Sequence, residues 1–322
     1  MKSLAVFSLL WLIASVSSGS QLLDRELDAE WESFKEFHNK NYLSAAEDSR
    51  RRLLWQLNRQ QIEEHNAQAE LGLQSHRLAI NSFADMTPDE ILPNANRPVR
   101  ESPRTTFGNS FASVTGLPKA VDWTKEGFVT PTTDQDIVAS AIPFAVTGTI
   151  EGVLGIRNRR FVPLSAHQIE DCYHGESVQG AYESIMQLGG IMSKAAYGDS
   201  MENRTCHFDP KKTECSLITY ATVNKAEKAL QAAVANVGPI AVEVDASKFL
   251  FYEKGIFSDP KCGEKAPNHA LLVTGYGSEN GVDYWMLKNT WGGSWGEGGY
   301  IRIERNRNTC RIANNATYPV LA

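Results

Sequence analysis

The segment from residue 284 to residue 300, YWMLKNTWGGSWGEGGY, decides how the main part of this chain folds. Its beginning belongs to a β-strand pattern over residues 283–288, and a second strand pattern covers residues 300–304. The glycine-rich stretch between them, residues 292–299, lacks the Gly-Lys-Ser/Thr sequence of a phosphate-binding loop. It therefore predicts a structured turn that joins two strands.

Two more strand patterns, over residues 239–245 and 270–276, precede this segment and are bounded by turns that contain glycine. Further upstream, a helical pattern covers residues 147–157 and follows Ser140, which we predict to be its N-cap. Helices in the first part and strands in the last part predict an α+β main domain with two subdomains.

The N-terminal part of the chain has a helical character. Residues 22–68 are charged and amphipathic, and Trp31, Phe34 and Phe37 form a short apolar stripe with a spacing of three. A second helix carries six residues that fall within an arc of about 100° on one face. These six residues are Glu47, Arg51, Trp55, Asn58, Ile62 and Asn66.

Composition divides the chain into four regions. Residues 1–20 contain Lys2, an apolar run and then small residues, which is the pattern of a secretory signal peptide. Residues 94–116 are rich in Pro, Asn, Ser, Thr and Gly without a helix or strand period, which is typical of a linker. We therefore predict an N-terminal helical domain over residues 21–93 and a main domain over residues 117–322.

The overall composition is that of a globular protein. The chain has 322 residues, of which 42% are hydrophobic and 22% are charged, so it can bury a core. Its net charge of −6 disfavours nucleic acid and anionic membranes as partners. After the signal peptide, no apolar run reaches the roughly 20 residues that a membrane span needs. We expect a secreted or lysosomal protein that meets an oxidising compartment.

The main domain contains five cysteines. They are Cys172, Cys206, Cys215, Cys262 and Cys310. In an oxidising compartment we expect the cysteines to pair as disulfides, with one left over. Zinc is the alternative, because Cys172 lies near His174 and Cys206 precedes His207. The spacing fits no common zinc pattern, so we predict no metal.

Motifs along nearly the whole chain resemble those of papain-type cysteine peptidases of the cathepsin L branch. In the main domain they are residues 117–123 (LPKAVDW), 268–270 (NHA), 275–277 (GYG) and 284–292 (YWMLKNTWG). The six residues of the second helix match the pro-segment signature of this branch, with Trp55 where phenylalanine is frequent. Asn81, Phe83 and Asp85 match the second pro-segment motif, although Ala79 stands where glycine is usual.

The resemblance implies a papain-like fold with a helical left subdomain, a β-barrel-like right subdomain and an N-terminal helical inhibitory prodomain. Catalysis in this family uses a thiolate at a helix N-terminus, an acid–base histidine, an orienting asparagine and an oxyanion hole, without a cofactor. Matching the motifs assigns the oxyanion hole to Gln135, the acid–base role to His269 and the orienting role to Asn289. Trp291 then shields the bond between the histidine and the asparagine.

Ala141 occupies the position of the nucleophilic cysteine. It lies six residues after Gln135, which is the family spacing, and it precedes His269 by 128 residues and Asn289 by 148. These separations agree with the roughly 130 to 150 residues expected in this family. A methyl group has no lone pair, so no acyl-enzyme can form on it. Ser140 lies one residue early, about 100° around the helix start, and a capping role suits it better.

Two other family features are missing. Val138 stands where relatives have a cysteine that bonds to another cysteine beyond Cys172, and this second cysteine is also absent. Only eight residues separate Cys172 from Ala181, far fewer than in relatives. The missing residues include a Cys-Asn-Gly-Gly turn, which binds the substrate backbone and forms one wall of the main specificity pocket. We therefore expect weaker peptide binding as well as lost chemistry.

The resemblance also implies how the remaining cysteines pair. The implied disulfides are Cys172–Cys206 and Cys262–Cys310. Cys215 is left as a buried free thiol or an intermolecular link. Asn203 and Asn315 begin glycosylation sequons, of which the first is the better candidate because the second lies near the terminal strand.

Four functions remain to be weighed. The first is an inactive, cathepsin-like protein with a binding, regulatory or structural role. The second is an inhibitor or decoy of active cathepsins that acts through the pro-segment. The third is residual hydrolysis by Ser140 or a bound water, and the fourth is a storage role. The expected partners are peptides or other cathepsins, with no nucleic acid and no membrane, and the oligomeric state is open.

Overall fold

The computed structural model describes residues 25–92, 116–132, 140–198 and 205–322. The predicted signal peptide and nearly all of the linker therefore lie outside the described residues. The chain divides into two compact units, one formed by the residues up to Gln61 with Ser82–Met86, the other by Ile62–Asn81 and Thr87–Ala322. Among the described helices, none combines the length and the apolar composition that crossing a bilayer requires.

The first unit is built from two helices. Helix α1 covers residues 25–37 of the described chain, and helix α2 (Ala45–Glu70) follows and continues into the second unit. Trp31 and Phe34 are buried against Trp55, with ring centroids 5.7 and 6.1 Å from that of Trp55. The predicted apolar stripe is wrong at its third member, because Phe37 ends the helix and is 83% exposed.

Polar contacts hold the loop that carries Asp85 to α2 and to the loop before α2. The Asp85 carboxylate accepts hydrogen bonds from Lys40 Nζ at 2.9 Å and from the Tyr42 hydroxyl at 2.5 Å. The backbone carbonyl of Asp85 accepts a bond from Arg51 at 3.0 Å, and Asn58 donates to the carbonyl of Ala84 at 2.8 Å. The polar residues predicted on one face of α2 therefore bind the loop that carries Asp85.

The second unit begins with the end of α2 and a short strand, β1 (His76–Leu78). Asn66 makes two hydrogen bonds to the backbone of Leu78, at 2.7 and 2.9 Å. The short helix α3 (Pro88–Ile91) follows.

The rest of the second unit combines helices with a large sheet. Its helices are α4 (Ile142–Asn158), α5 (Ala166–Cys172), α6 (Val178–Leu188), α7 (Lys194–Tyr197) and α8 (Glu227–Asn236). Its strands are β2 (Val121–Asp122), β3 (Ile191–Met192), β4 (Thr213–Cys215), β5 (Leu217–Thr222), β6 (Ile240–Val244), β7 (Tyr252–Phe257), β8 (His269–Glu279), β9 (Val282–Lys288), β10 (Tyr300–Glu304) and β11 (Ala316–Leu321).

The strand order in the large sheet is β1-β7-β10-β9-β8-β6-β11-β5, and β2 pairs with β8. The β7–β10 pair is parallel, and the other pairs of this sheet are antiparallel. Strands β3 and β4 form a separate pair next to the helices. Helices α4, α5 and α6 bury one core with the apolar residues Ile150, Ile169 and Ile185. This is the papain-like α+β fold that the sequence predicts.

Three glycines on one side of α4 let this helix approach its neighbours closely. A β-carbon on Gly148 would lie 2.6 Å from the Leu272 side chain in β8, and one on Gly152 would lie 2.5 Å from Pro239. A β-carbon on Gly155 would lie 2.8 Å from Phe128. Any larger residue at these positions would push the helix away from the sheet. These three glycines therefore fix where the N-terminus of α4 lies.

Several sequence predictions can be compared with the observed elements. The four predicted strands correspond to β6, β8, β9 and β10, while the other seven described strands, β1 to β5, β7 and β11, were not predicted. The helix predicted over residues 147–157 begins earlier, at Ile142, because Pro143 suits its first turn. Ser140 is therefore not the N-cap, which is Ala141, although the Ser140 hydroxyl accepts a hydrogen bond from the Ile142 N–H at 3.2 Å.

The disulfides Cys172–Cys206 and Cys262–Cys310 are both present, as the resemblance implies. Cys215 is a free cysteine, and burial raises the pKa of its thiol to about 12. A thiol with so high a pKa is almost entirely protonated at neutral pH and is a poor nucleophile.

Trp55 offers a test of the packing in the first unit. Its ring is 1% exposed, and its Nε1 atom has no hydrogen-bond partner, so replacing it with phenylalanine removes no hydrogen bond. We expect Trp55→Ala to lower the free energy of unfolding by about 3 to 5 kcal/mol and Trp55→Phe by about 1 to 2 kcal/mol. Urea titration followed by circular dichroism measures both. Equal losses in the two variants would contradict this packing.

Candidate active site

The predicted nucleophile position lies at the start of α4. Ala141 is its N-cap residue, with φ −72° and ψ −17°, and its own side chain makes no capping hydrogen bond. The Ala141 carbonyl accepts the first intrahelical bond, from the Ala145 N–H at 3.1 Å. Its methyl group is 7% exposed and belongs to a core cluster that also contains Ala241 of β6 and Ala270 of β8. The side chain at this position therefore packs as a small apolar group.

The predicted acid–base pair is assembled as expected. The Nε2 atom of His269 lies 2.8 Å from Oδ1 of Asn289, and because this oxygen only accepts, Nε2 carries the proton. The same oxygen accepts a hydrogen bond from the Thr290 N–H at 2.8 Å, which fixes the orientation of the amide. Asn289 is 1% exposed, and its backbone N–H donates to the Gly299 carbonyl at 2.9 Å.

Trp291 lies against this pair. Its ring centroid is 4.7 Å from that of His269, with the planes tilted by 34°. Trp295 supports it from the side in an edge-on contact at 5.0 Å, and Phe249 packs at 6.0 Å. The indole predicted to shield the histidine–asparagine bond is thus in contact with the imidazole and is held by an aromatic cluster.

Burial controls the protonation of His269. It lowers the pKa of the imidazole to about 4, and the hydrogen bond with Asn289 acts in the opposite direction but only in part. Among the described residues, no charged group contributes to this pKa. A neighbouring anion would favour the imidazolium, and Ala141 supplies none. The ring is therefore neutral at neutral and mildly acidic pH.

The shortened connection between α5 and α6 is organised around one side chain. The Tyr173 hydroxyl donates to the Ser177 carbonyl at 3.1 Å and accepts from the Ser177 N–H at 3.2 Å. A β-carbon on Gly175 or on Gly180 would lie 2.3 or 2.1 Å from this hydroxyl, so both glycines make room for it. Ser177 in turn caps α6 by accepting the Gly180 N–H at 3.1 Å. The connection is a compact turn built on an aromatic side chain.

Glu243 of β6 is a buried acid that sequence reasoning missed. It is 7% exposed and pairs across the strands with Ala270, the residue after His269. Its carboxyl group accepts a hydrogen bond from the backbone of Val178 at the start of α6, but Oε2 has no partner. Burial raises its pKa to about 7. The signal was present in the sequence, because a glutamate interrupts the apolar run of residues 240–244.

The remaining predicted site residues are not part of the His269–Asn289 site as the structure describes it. Gln135, Val138 and Asn203 lie outside the described residues. Asn315 is half-buried immediately before β11, and Thr317 of its sequon is 1% exposed. Within the described ranges, no group of three or more His, Cys, Asp or Glu side chains is arranged to hold a metal ion.

The raised pKa of Glu243 predicts that the free energy of unfolding depends on pH. Above pH 4.5 the carboxyl ionises in the unfolded chain but stays protonated in the folded one until about pH 7, so folding is progressively penalised as the pH rises. We expect Glu243→Gln to gain about 2 to 3 kcal/mol over wild type between pH 5 and pH 8. Urea unfolding at both pH values measures this change. A difference that does not vary with pH would contradict the buried acid.

Comparisons with known proteins agree with the fold. Residues 117–320 match the papain family of cysteine proteases, and residues 31–91 match the cathepsin propeptide inhibitor domain. Cathepsin Q of Rattus norvegicus is 36% identical, with 98% of this chain and 99% of that protein covered. Cathepsin S of Mus musculus is 35% identical, with 98% and 97% covered.

Solved structures give the same result. The digestive procathepsin L 3 of Tenebrio molitor has a TM-score of 0.82 and 36% identity, with 92% of this chain and 99% of that one covered. The procathepsin L2 of the same insect has a TM-score of 0.83 and 34% identity, with 92% and 100% covered. Both structures are proforms, and this chain likewise matches a propeptide inhibitor domain followed by a papain-family domain. The chain belongs to the papain family of cysteine proteases and carries a cathepsin propeptide inhibitor domain.

Proposed function

We propose that this chain is a catalytically silent, cathepsin L-like protein that binds without cutting. The observation that carries the proposal is Ala141 at the N-cap of α4, packed in an alanine-rich core cluster while the His269–Asn289 pair persists. Peptide hydrolysis in this family begins with a thiolate at this place, and a methyl group cannot replace it.

The protonation of His269 supports the proposal. In a thiolate–imidazolium pair each charge stabilises the other, so the histidine holds the proton that it later gives to the leaving amine. Here burial lowers the pKa of His269 to about 4, and no anion among the residues that the structure describes opposes this effect. At mildly acidic pH the ring then has no extra proton to donate, so the general acid is missing together with the nucleophile.

The rebuilt neighbourhood of the cleft gives further support. The connection that walls the main specificity pocket in relatives is replaced by the compact turn around Tyr173. Beside it, the Glu243 carboxyl accepts a bond from Val178 and joins β6 to the start of α6. Restoring only the nucleophile would leave both changes in place.

Ser140 is a weak substitute for the nucleophile. Its hydroxyl accepts the Ile142 N–H at 3.2 Å and its side chain is exposed to solvent. A serine nucleophile needs a base within hydrogen-bond reach to take its proton, and the described hydrogen bond of His269 goes to Asn289. Residual hydrolysis by Ser140 therefore ranks below binding without catalysis.

The test is Ala141→Cys, assayed on a dipeptidyl fluorogenic substrate after an added serine peptidase has removed the N-terminal region and been inactivated. We expect kcat/KM to stay below about 10⁴ M⁻¹s⁻¹, the lower end of the usual range for enzymes. The physical reason is that the turn around Tyr173 and the buried Glu243 still occupy the rebuilt wall.

Two controls keep this test informative. Alkylation of the new thiol, compared with the free Cys215 of wild type, shows that the introduced cysteine is reachable. Ser140→Cys places the same thiol one residue earlier and should be equally inactive. Robust hydrolysis by Ala141→Cys alone would contradict a rebuilt cleft and would leave the nucleophile as the single missing part.

A second candidate function is inhibition of active cathepsins by the pro-segment. The helices match the propeptide inhibitor domain, and the contacts of Asp85 with Lys40 and Tyr42 are complete. A chain that cannot process itself keeps this segment, so the protein would act as a decoy or inhibitor of peptidases in a secretory or lysosomal compartment.

Titration of residues 21–116 into an active cathepsin L tests this second function. We expect tight inhibition because the face of α2 that binds the Asp85 loop is intact. The matched control is the same segment with Asp85→Ala, which removes the acceptor of Lys40 and Tyr42 and should inhibit more weakly. Absence of inhibition by the unmodified segment at micromolar concentration would exclude the inhibitor function.

A further inference from the structure

The disulfide Cys172–Cys206 lies beside a histidine outside the candidate active site. Cys172 is the last residue of α5, and Cys206 belongs to residues 205–209, which we call the disulfide segment. His207 follows Cys206 directly. Its ring stacks on that of Tyr197 in α7, with the centroids 3.8 Å apart and the planes tilted by 23°. The histidine therefore fastens the disulfide segment to α7.

Both nitrogens of the His207 ring face backbone carbonyls. Nδ1 lies 3.0 Å from the Thr205 carbonyl, and Nε2 lies 3.1 Å from the Tyr197 carbonyl. A neutral imidazole has one N–H and can donate to only one of these oxygens, whereas an imidazolium has two and donates to both. The residue is exposed to solvent, so its charge costs little desolvation. This arrangement therefore favours the protonated histidine.

The charged groups around this ring act on it less than the two carbonyls do. Asp171 of α5 favours the imidazolium, and Lys212, which lies beyond the disulfide segment, disfavours it. Lys194 is the charged residue of α7, and it acts on the ring less than either of them. The Asp209 carboxylate caps the helical turn that follows it, and Glu170 of α5 pairs with a histidine of its own helix at 3.1 Å.

Tyr197 connects the histidine to the disulfide. Its hydroxyl lies 4.0 Å from Cys172 Sγ, donates to the Asp171 carboxylate at 2.8 Å and accepts the backbone N–H of His207 at 3.4 Å. Because Cys206 is bonded to Cys172, the disulfide holds His207 over this ring. When the bond is open, only the backbone ties Cys206 to the fold. The histidine then loses the tether that places it between its two carbonyls.

We propose that protonation of His207 and closure of the Cys172–Cys206 disulfide stabilise each other, so that the bond is protected against dithiol reductants in acid and loses this protection at neutral pH. If the closed bond favours the imidazolium, the imidazolium favours the closed bond by the same factor. Tyr173, which organises the compact turn before α6, follows Cys172 directly. Opening the bond therefore frees the helix end that precedes this turn. The proposal does not rest on the proposed function.

Opening of the bond follows ordinary thiol–disulfide exchange. A thiolate of the dithiol attacks one sulfur and forms a mixed disulfide, and the other cysteine leaves as a thiolate that takes a proton from water. The second thiol of the reagent then displaces the first cysteine, so the protein gains two electrons and two protons while the dithiol becomes a cyclic disulfide. Both ring N–H groups of the protonated His207 are engaged with carbonyls, so neither is available to stabilise the leaving thiolate.

The direction of the pH effect follows from linkage. The Thr205 carbonyl, with the Tyr197 carbonyl second, raises the pKa of His207 above its ordinary value of 6.5 while the bond is closed. The open form binds the proton less tightly, so this contribution to closure is complete well below pH 6.5 and is lost as the pH rises through the raised pKa. One charge-assisted hydrogen bond corresponds to roughly a tenfold change in the equilibrium between the closed and open forms.

Equilibration of the full chain with mixtures of reduced and oxidised dithiothreitol at pH 5.5 and pH 8.0 tests the proposal. Alkylation and mass spectrometry give the fraction of Cys172–Cys206 that is open, and comparison with His207→Phe at each pH cancels the pH dependence of the reagent. The phenylalanine keeps a ring over Tyr197 but donates no hydrogen bond from it. We expect the resistance of wild type relative to this variant to be roughly 10-fold greater at pH 5.5 than at pH 8.0. A relative resistance that is equal at the two pH values, or greater at pH 8.0, would overturn the proposal.

A control variant and a second measurement make the test specific. His174→Gln removes an exposed histidine two residues after Cys172 and should leave the pH effect unchanged, and loss of the effect in this variant would also count against His207. Should His207→Phe fail to fold, nuclear magnetic resonance titration of His207 decides. We expect a pKa above 6.5 in wild type and a lower one when Cys172→Ser is combined with Cys206→Ser. A wild-type pKa at or below 6.5, or one that does not change in the double variant, would contradict the coupling.

Discussion

The close approach of α4 to the sheet is the constraint on which the site depends. Gly148 and Gly152 leave no room for a side chain beside Leu272 and Pro239, so the helix axis is fixed against the sheet. Ala141, the N-cap residue of that helix, then lies in the same core cluster as Ala270, which follows His269 in sequence. The packing of these glycines therefore positions Ala141 beside Ala270 without any requirement for a reactive side chain at residue 141.

The histidine–asparagine pair persists for a related reason. Asn289 is anchored by the Gly299 carbonyl and orients the imidazole through one oxygen, while Trp291 covers the ring. None of these contacts involves the position of Ala141. Under the proposed function, the alanine leaves a half-buried imidazole whose pKa is lowered to about 4, with no neighbouring anion among the described residues to raise it. Under the proposed function, this arrangement retains the histidine–asparagine geometry of a catalytic site but lacks the charge that a thiolate would supply.

Much of this was predictable from the sequence, and the failures have physical causes. The fold followed from the motifs around Trp291, and the start of α4 could have been placed from Pro143, which favours the first turn. Strand β7 was missed because residues 252–257 contain two charges and a glycine. Its pairing with β1 and β10 depends on contacts distant in sequence, which local propensity does not report.

For the site, the residues carried by family motifs were predicted correctly, whereas a residue outside these motifs was missed. Spacing to His269 and Asn289 located the pair, because the family motifs fix the loops that carry these residues. Glu243 was overlooked although a glutamate interrupts the apolar run of residues 240–244, and its partner, the Val178 backbone, is defined only once α6 is brought to β6. The disulfide pairs came from the resemblance and not from spacing, because five cysteines allow many connectivities.

The most direct test of the central claim uses the wild-type main domain and a dipeptidyl substrate. It measures whether a thiol-directed epoxide blocks hydrolysis of the substrate and whether the epoxide becomes attached to the protein. The N-terminal region is first removed by a serine peptidase that is then inactivated. We expect that the protein shows no epoxide-sensitive hydrolysis and that no epoxide becomes bound near Ala141. Hydrolysis abolished by the epoxide would show that a thiol nucleophile works in this cleft and would contradict the account.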